Sequence, residues 1–297
     1  MSNAEKIRFT QIIQDLPVSV PFVGPEAQER NTGIDFKARV GANESGFGPS
    51  PKVIEAMTAA ASETWKYSDP ENHVLRNAIA EFYNISPNNV VVGEGIDGLL
   101  GCTAQLFVEA GVHVITSLGS YPTFNFHING RGGKLHLVPY RDDHEDLDTL
   151  LARAQETEAS LLYVSNPNNP MGTWWSCDQM ETFIGKLPSG TVLVLDEAYI
   201  ETAPDSVSPA IDLDNKQVLR FRTFSKLYGM AGARIGYAIG HEELISAFEK
   251  VRNHYGINLS GQRGAVAAIK DQAYLAEVKH KVEKGRDRIH AIAKKHG

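Results

Sequence analysis

The chain has 297 residues, 42% hydrophobic and 22% charged, with a formal net charge of -7; this is the balance of a globular protein with room for one large domain and part of a second. The acidic balance and the lack of a Lys/Arg block argue against nucleic acid as a partner, and two cysteines, Cys102 and Cys177, leave neither a disulfide framework nor a C-x-x-C metal site. Residues 1–15 are polar, without the apolar core of a signal peptide, and no apolar run approaches the roughly 20 residues needed to span a bilayer, so a cytoplasmic enzyme with no membrane partner and no bound metal is expected.

Residues 1–50 are rich in turn formers, as in Pro21-Phe22-Val23-Gly24-Pro25 and Gly46-Phe47-Gly48-Pro49, and read as an extended N-terminal arm. Helical patterns follow over 51–63 and 74–83, joined by the loop Tyr67-Ser68-Asp69-Pro70. From residue 90 short apolar, β-branched runs alternate with helical stretches. The runs are 90–92, 112–116, 134–138, 161–165, 192–195, 218–222 and 235–239; the helical stretches include 96–109, 147–157 and 178–187. Such runs suit a sheet buried on both faces, so an α/β architecture with mostly parallel strands is expected over 51–255. Residues 241–255 read as one long helix, and 261–295 as two more. The segment 256–297 then reads as the start of a small C-terminal domain, with no strand following to complete it.

Gly93-Glu94-Gly95-Ile96-Asp97-Gly98 fits G-x-G-x-x-G between a strand and a helix, the context of a dinucleotide turn. The acid expected about 20 residues further on, at the end of the next strand, is missing: Val112–Thr116 is followed by Ser117-Leu118-Gly119-Ser120. Two readings stand beside the weakened dinucleotide one: a tight turn with no ligand, and a helix N-terminus that holds another phosphate.

In a parallel sheet the ligand sits at the carboxyl ends of the strands, so the residues just past each run matter most. After 161–165 comes Asn166-Pro167-Asn168-Asn169-Pro170-Met171-Gly172, which composition alone makes an ordinary Pro/Asn loop. After 192–195 comes Asp196-Glu197-Ala198-Tyr199. A carboxylate leaving a buried strand needs a partner, which could be a structural Arg or a cationic ligand. After 218–222 comes Thr223-Phe224-Ser225-Lys226, with Arg234 eight residues beyond Lys226. A lysine at such a place is usually solvated; here it converges with the acid and the Asn-Pro loop.

Taken together, A-N-E-S-G-F-G-P-S-P (42–51), Y-S-D-P (67–70), G-E-G-I-D-G (93–98), Y-P-T-F (121–124), N-P-N-N-P-M-G (166–172), D-E-A-Y (196–199) and F-S-K (224–226) with Arg234 give a chain that resembles the fold-type I pyridoxal-phosphate aminotransferases of class I/II. Among them it is most similar to the histidinol-phosphate aminotransferases. The resemblance covers residues 38–297. It implies a fold-type I α/β architecture: a large domain with a mostly parallel seven-stranded sheet flanked by helices, plus a partial small C-terminal domain.

The resemblance also implies the cofactor pyridoxal 5'-phosphate and a role for each matching residue. Lys226 matches the lysine that forms the Schiff base and later shuttles a proton, which needs a neutral amine. Asp196 matches the carboxylate on the pyridine nitrogen. Tyr199 and Asn169 match donors to the ring phenolate oxygen. Ser225 and Arg234 match phosphate ligands, with backbone N–H groups at Gly95 and Ile96. Phe124 stands where the family usually has a Tyr stacked on the ring. Tyr67 matches a residue that reaches the neighbouring subunit's phosphate, which implies a homodimer. Asn43 and Glu44 match the loop that closes over substrate, with N-E-S in place of the usual N-E-N.

The implied activity is ping-pong transfer of an amino group between an amino acid or histidinol phosphate and 2-oxoglutarate, in histidine biosynthesis. The same fold and lysine also serve decarboxylases and lyases, and a catalytically idle cofactor-binding fragment is a further alternative. The family's second domain continues beyond the point where this sequence stops, and its final strands carry the Arg that grips the substrate carboxylate. A truncated chain, or one that cannot hold substrate as its relatives do, is the expectation there.

Overall fold

A computed structural model describes residues 7–18 and 22–296. The N-terminal 50 residues are expected, from their turn formers, to be extended; among the described residues the chain is not uniformly so. Two short helices interrupt it, α1 (Gln11–Asp15) and α2 (Pro25–Thr32), and neither buries a residue. Local signals account for them: Thr10 caps α1, while α2 opens on Pro25 and ends at Gly33 in the left-handed conformation.

Helices α3 (Pro51–Ala61) and α4 (His73–Tyr83) come next. Ser50 caps α3 by accepting the Val53 N–H, with Pro51 in the first turn. The expected runs then form the strands β1 (Val90–Gly93), β2 (His113–Ser117), β3 (Lys134–Val138), β4 (Leu161–Ser165), β5 (Val192–Asp196), β6 (Val218–Thr223) and β7 (Gly236–Gly240). Between them lie α5 (Gly95–Phe107), α6 (Pro122–Gly130), α7 (Leu147–Thr157) and α8 (Cys177–Ile184). The sheet has seven strands in the order β1-β7-β6-β5-β4-β2-β3, with β7 antiparallel to both of its neighbours and every other pair parallel. The expected α/β, mostly parallel sheet is therefore present.

Strands β4 to β7 are buried at every position, so β4, β5 and β7 are mostly apolar runs, while β6 buries Arg220 and Arg222 in ion pairs with Glu197. One core cluster packs Leu99, Ile128, Tyr163 and Phe221 on one face, under α5 and α6. On the other face, α7 and α8 bring Leu150, Met180 and Phe183 against Leu193 and Leu195.

The stretch expected to be one long helix over 241–255 is instead α9 (Glu242–Ala247), a 3-10 turn at Phe248–Lys250, and a non-helical turn region. Phe248 is fully buried in the core, and Asn253 turns aside to donate to Glu94 (3.2 Å). Side chains of this kind compete with continued helix. Helix α10 (Leu259–Lys270) lies across α3 and α4, contributing Ala265 and Ile269 to the core that holds Val53, Leu75 and Tyr237. Helix α11 (Gln272–His296) buries only Val278. Among the described residues no helix is long and apolar enough to cross a membrane.

Candidate active site

The carboxyl ends of β4, β5 and β6 open into a cleft of 350 Å³. Asp196 is the last residue of β5, and the run of aliphatic residues before it fixes it at the floor. Its side chain is buried. Tyr163 Oη donates to Oδ2 at 2.7 Å and the Ala198 N–H to Oδ1 at 2.9 Å. Burial pushes the carboxyl up to about 6, against the pull of these two hydrogen bonds and of Lys226; neighbouring Glu197 adds to the rise.

Lys226 follows β6 in a loop that the backbone closes tightly. Gly229 N–H donates to Lys226 O (3.0 Å), Met230 N–H to Phe224 O (3.0 Å) and Phe224 N–H to Ile235 O (3.1 Å). The ammonium donates to the carbonyls of Ala42 (3.4 Å) and Asn43 (3.5 Å) and lies over the Tyr199 ring, 5.3 Å from its centroid. Partial burial lowers the Lys226 pKa; Asp196 opposes this and Arg234 reinforces it. The direction favours the neutral amine.

The segment bearing Asn43 and Glu44 reaches the cleft because Gly229, with φ +69°, has no side chain: a Cβ there would collide with the Gly48 carbonyl. Asn43, itself at φ 53°, donates through Nδ2 to Tyr199 Oη (3.1 Å). Glu44 is paired with Arg39 at 2.6 Å, and Arg39 also pairs with Glu26.

At the other end of the cleft is a basic cradle. Helix α5 has no side-chain cap, so the N–H groups of its first turn are open to an anion. Gly95, with φ +73°, lies so close to Arg234 that an added Cβ would be 2.5 Å from a guanidinium nitrogen. Gly236 is equally closely packed, against Gly95 and Ile96. Arg234, in the left-handed conformation, donates to the Ala231 carbonyl (3.1 Å) and to Ser225 Oγ (3.5 Å). Thr223 fixes Ser225: its Oγ1 accepts the Ser225 N–H (3.0 Å) and bonds Ser225 Oγ (2.9 Å).

The structure thus brings Glu44, Ile96, Asn169, Asp196, Tyr199, Ser225, Lys226 and Arg234 to one cleft, with Asn43 on an adjoining 440 Å³ cavity and Gly95 behind Arg234. Two expected site residues lie elsewhere. Phe124, expected to stack over a ligand ring, is 1% exposed and instead stacks on Tyr163, 4.5 Å between centroids and 22° between planes. It sits in the first turn of α6, where the apolar core claims it, while Tyr121, just before the helix, lines the cleft. Tyr67 is 83% exposed, packs against Tyr255 (4.9 Å) and lines a different cavity from Lys226.

Sequence reasoning missed Tyr163 and Tyr121. The one signal for Tyr163 is a hydroxyl-bearing ring inside an otherwise aliphatic strand; Tyr121 lies in the same Y-P-T-F stretch as Phe124.

Fold and cleft together are those of a group-transfer enzyme built around a buried acid, a lysine and an anion cradle. The chain belongs to the aminotransferase class I and II family, whose profile matches residues 37–295. It is 32% identical over 288 residues to the histidinol-phosphate aminotransferase of Staphylococcus haemolyticus, covering 95% of this chain and 81% of that one. The crystal structure of histidinol-phosphate aminotransferase from Sinorhizobium meliloti in complex with pyridoxal-5'-phosphate superposes with a TM-score of 0.94 at 52% identity, over 99% of this chain and 79% of that one. The fold also matches aspartate aminotransferase from Thermus thermophilus with maleate, at a TM-score of 0.81 and 22% identity over 95% of this chain and 78% of that one.

Proposed function

We propose that the protein binds pyridoxal 5'-phosphate in the cleft and transfers an amino group from histidinol phosphate to 2-oxoglutarate by a ping-pong mechanism, as a cytoplasmic homodimer. The observation that carries this reading is the placing of Asp196 and Lys226 in one cleft whose other end is the Arg234–Ser225–α5 cradle. The residues fit the group. Asp196 is a buried acid whose Tyr163 and Ala198 donors leave it short of a full countercharge, which a protonated ring nitrogen would supply. The cradle combines a guanidinium, a hydroxyl and an uncapped helix start, the donor set for a phosphate. The names of the relatives supply the amino donor.

Bound cofactor supplies a carbonyl that takes up an amine and a ring that accepts an electron pair. Asp196 would hold a proton at the ring nitrogen. Tyr199 and Asn169, which line the same cleft, would donate to the ring oxygen, and Ser225, Arg234 and the first N–H groups of α5 would hold the phosphate. The Lys226 amine, with its lowered pKa, would carry a proton to and from the substrate carbon. Asn43, hydrogen-bonded to Tyr199, and Glu44 would close over the substrate. Tyr67, exposed and lining a different cavity from the cleft of its own chain, would serve the partner subunit. The division into an arm (1–50), a large cofactor-binding part (51–255) and the start of a smaller domain (256–297) belongs to the same reading.

The test adds pyridoxal 5'-phosphate to the protein and follows the visible band, then supplies histidinol phosphate and 2-oxoglutarate and assays glutamate. A band with glutamate formed supports the reading. With an α-amino acid such as histidine supplied in place of histidinol phosphate, carbon dioxide release would replace the reading with a decarboxylase; a band with no amino transfer would replace it with an idle binder.

A further inference from the structure

Glu145 is an acid in a place that disfavours charge. It precedes α7 and is 2% exposed, with its carboxyl at the ends of β2 and β4. Oε2 accepts the Ser165 N–H at 3.2 Å. Oε1 has no formed hydrogen bond, and neither has the buried Ser117 Oγ near it. An ionised Glu145 therefore has one well-formed donor. The Ser117 hydroxyl can donate to either the ionised or the neutral form, so what separates them is the buried charge that the ionised form leaves without a cation. Burial raises its pKa to about 8; the polar groups of Ser117, Ser165 and Asn168 moderate the rise, and the charge of Asp196 adds to it.

Residue 145 also grips both ends of the Asn-Pro loop. Ser165, held through its N–H, accepts at Oγ from Asn168 Nδ2 (3.1 Å) and from the Asn169 N–H (3.3 Å). At the loop's far end the Trp175 indole donates to the Glu145 carbonyl (3.1 Å), and the Trp175 N–H donates to Asn166 Oδ1 (2.9 Å). We propose that Glu145 is a positioning residue that, as a neutral carboxylic acid, fixes the 166–172 loop and so aims Asn169 into the cleft. The role given to Asn169 rests on the function proposed above; the clamp itself does not.

Other titratable groups stand around it. Asp196 on β5 carries a repelling charge. Tyr140, after β3, bonds Asn168 (3.2 Å) and faces the loop. On its own segment Asp146 is already paired with Arg141 (2.6 Å), and His144 packs against Trp175 (5.0 Å). None of these supplies a cation to the Glu145 carboxyl. Its ionisation therefore leaves a buried unpaired charge beside the loop base.

The experiment compares wild type with Glu145→Gln, which keeps the shape and is neutral at every pH, and with Glu145→Ala. Hydrogen exchange at the loop amides is measured with and without added pyridoxal 5'-phosphate at pH 7 and pH 9, each pair at the same pH so that intrinsic rates cancel. The expected result is equal protection in wild type and the Gln variant at pH 7, and weaker protection in wild type at pH 9. Cofactor affinity should change in parallel, falling about tenfold more in wild type than in the Gln variant between the two pH values, as for one weakened hydrogen bond to a charged group. The Ala variant should lose protection at both. Parallel behaviour of wild type and Gln across the pH range would overturn the proposal, and so would full loop protection in Ala. Absence of cofactor binding in all three proteins would sink the proposed function and leave the exchange comparison to decide the clamp.

Discussion

Tyr163, in the middle of β4, donates its hydroxyl to Asp196, at the end of β5, across 2.7 Å inside the sheet. This bond opposes the rise that burial imposes on the Asp196 carboxyl, which lies at about 6. A group that must be ionised to hold a ring nitrogen loses that capacity as pH falls through its pKa, so cofactor affinity should decline below about pH 6. Tyr163→Phe removes the bond, raises the Asp196 pKa further and should move the decline to higher pH. The loss at neutral pH should be about ten- to hundredfold in affinity, from a charge-assisted bond of about 1.5–3 kcal/mol. Absorbance titrations at several pH values check this; an unshifted acid limb would remove Tyr163 from the role.

Lys226→Ala should abolish covalent attachment of pyridoxal 5'-phosphate fixed by borohydride. Mass spectrometry of the reduced protein reads the result directly. A label surviving in the variant would place the attachment at another amine.

Gly95→Ala should weaken the cradle. The added carbon must adopt φ +73° and would meet the Arg234 guanidinium. The backbone strain alone is about 1–2 kcal/mol, and displacement of Arg234 adds the loss of a phosphate contact. Cofactor affinity should fall by at least about tenfold, and inorganic phosphate should compete less well. Unchanged phosphate competition would show that the anion does not sit at the start of α5.

Tyr67→Phe should lower cofactor affinity about ten- to hundredfold through one phosphate hydrogen bond, while the dimer persists in sedimentation. If the shared-site reading is right, cofactor should also strengthen dimerisation. A monomer with full cofactor occupancy would contradict it.

Glu197→Gln bears on stability rather than chemistry. Glu197 is fully buried, 2.6 Å from Arg220 and 2.9 Å from Arg222. Burial works against its ionisation, but the two guanidinium groups prevail and hold its pKa below the usual range. Removing the charge strands two buried cations, a cost of about 3–5 kcal/mol. Because the folded pKa is depressed, wild type should lose this stability as pH falls through the carboxylate range, and the gap to the Gln variant should close in acid. Urea unfolding at pH 7 and at about pH 3 measures both.

The strands were legible because burial on both faces favours apolar, β-branched side chains, which dominate β1, β2, β4, β5 and β7. A ligand at the carboxyl edge of such a sheet meets the residues immediately past each run, and Lys226 and Asp196 could be found that way; Arg234, just before β7, stands out through the resemblance. Less legible were features set by tertiary partners. Phe248 ends a helix-like pattern because the core claims its ring. Phe124 turns inward to Tyr163, and nothing local distinguishes that from a ring facing the cleft. Tyr163 looks like one more core residue until its hydroxyl is placed against Asp196, across two strands 33 residues apart.

Strand β7 runs against its neighbours, and this has a consequence for heredity. Because β6 ends where β7 begins, with Thr223 opposite Gly236, Lys226 and Arg234 are carried on a single closed hairpin connection. The proposed covalent anchor and the proposed anionic grip are therefore one genetic module. A crossover, insertion or permutation within 227–233 separates them together from their register, whereas recombination outside that span moves both intact. Chimaeras between relatives should tolerate breakpoints on either side of this connection far better than inside it.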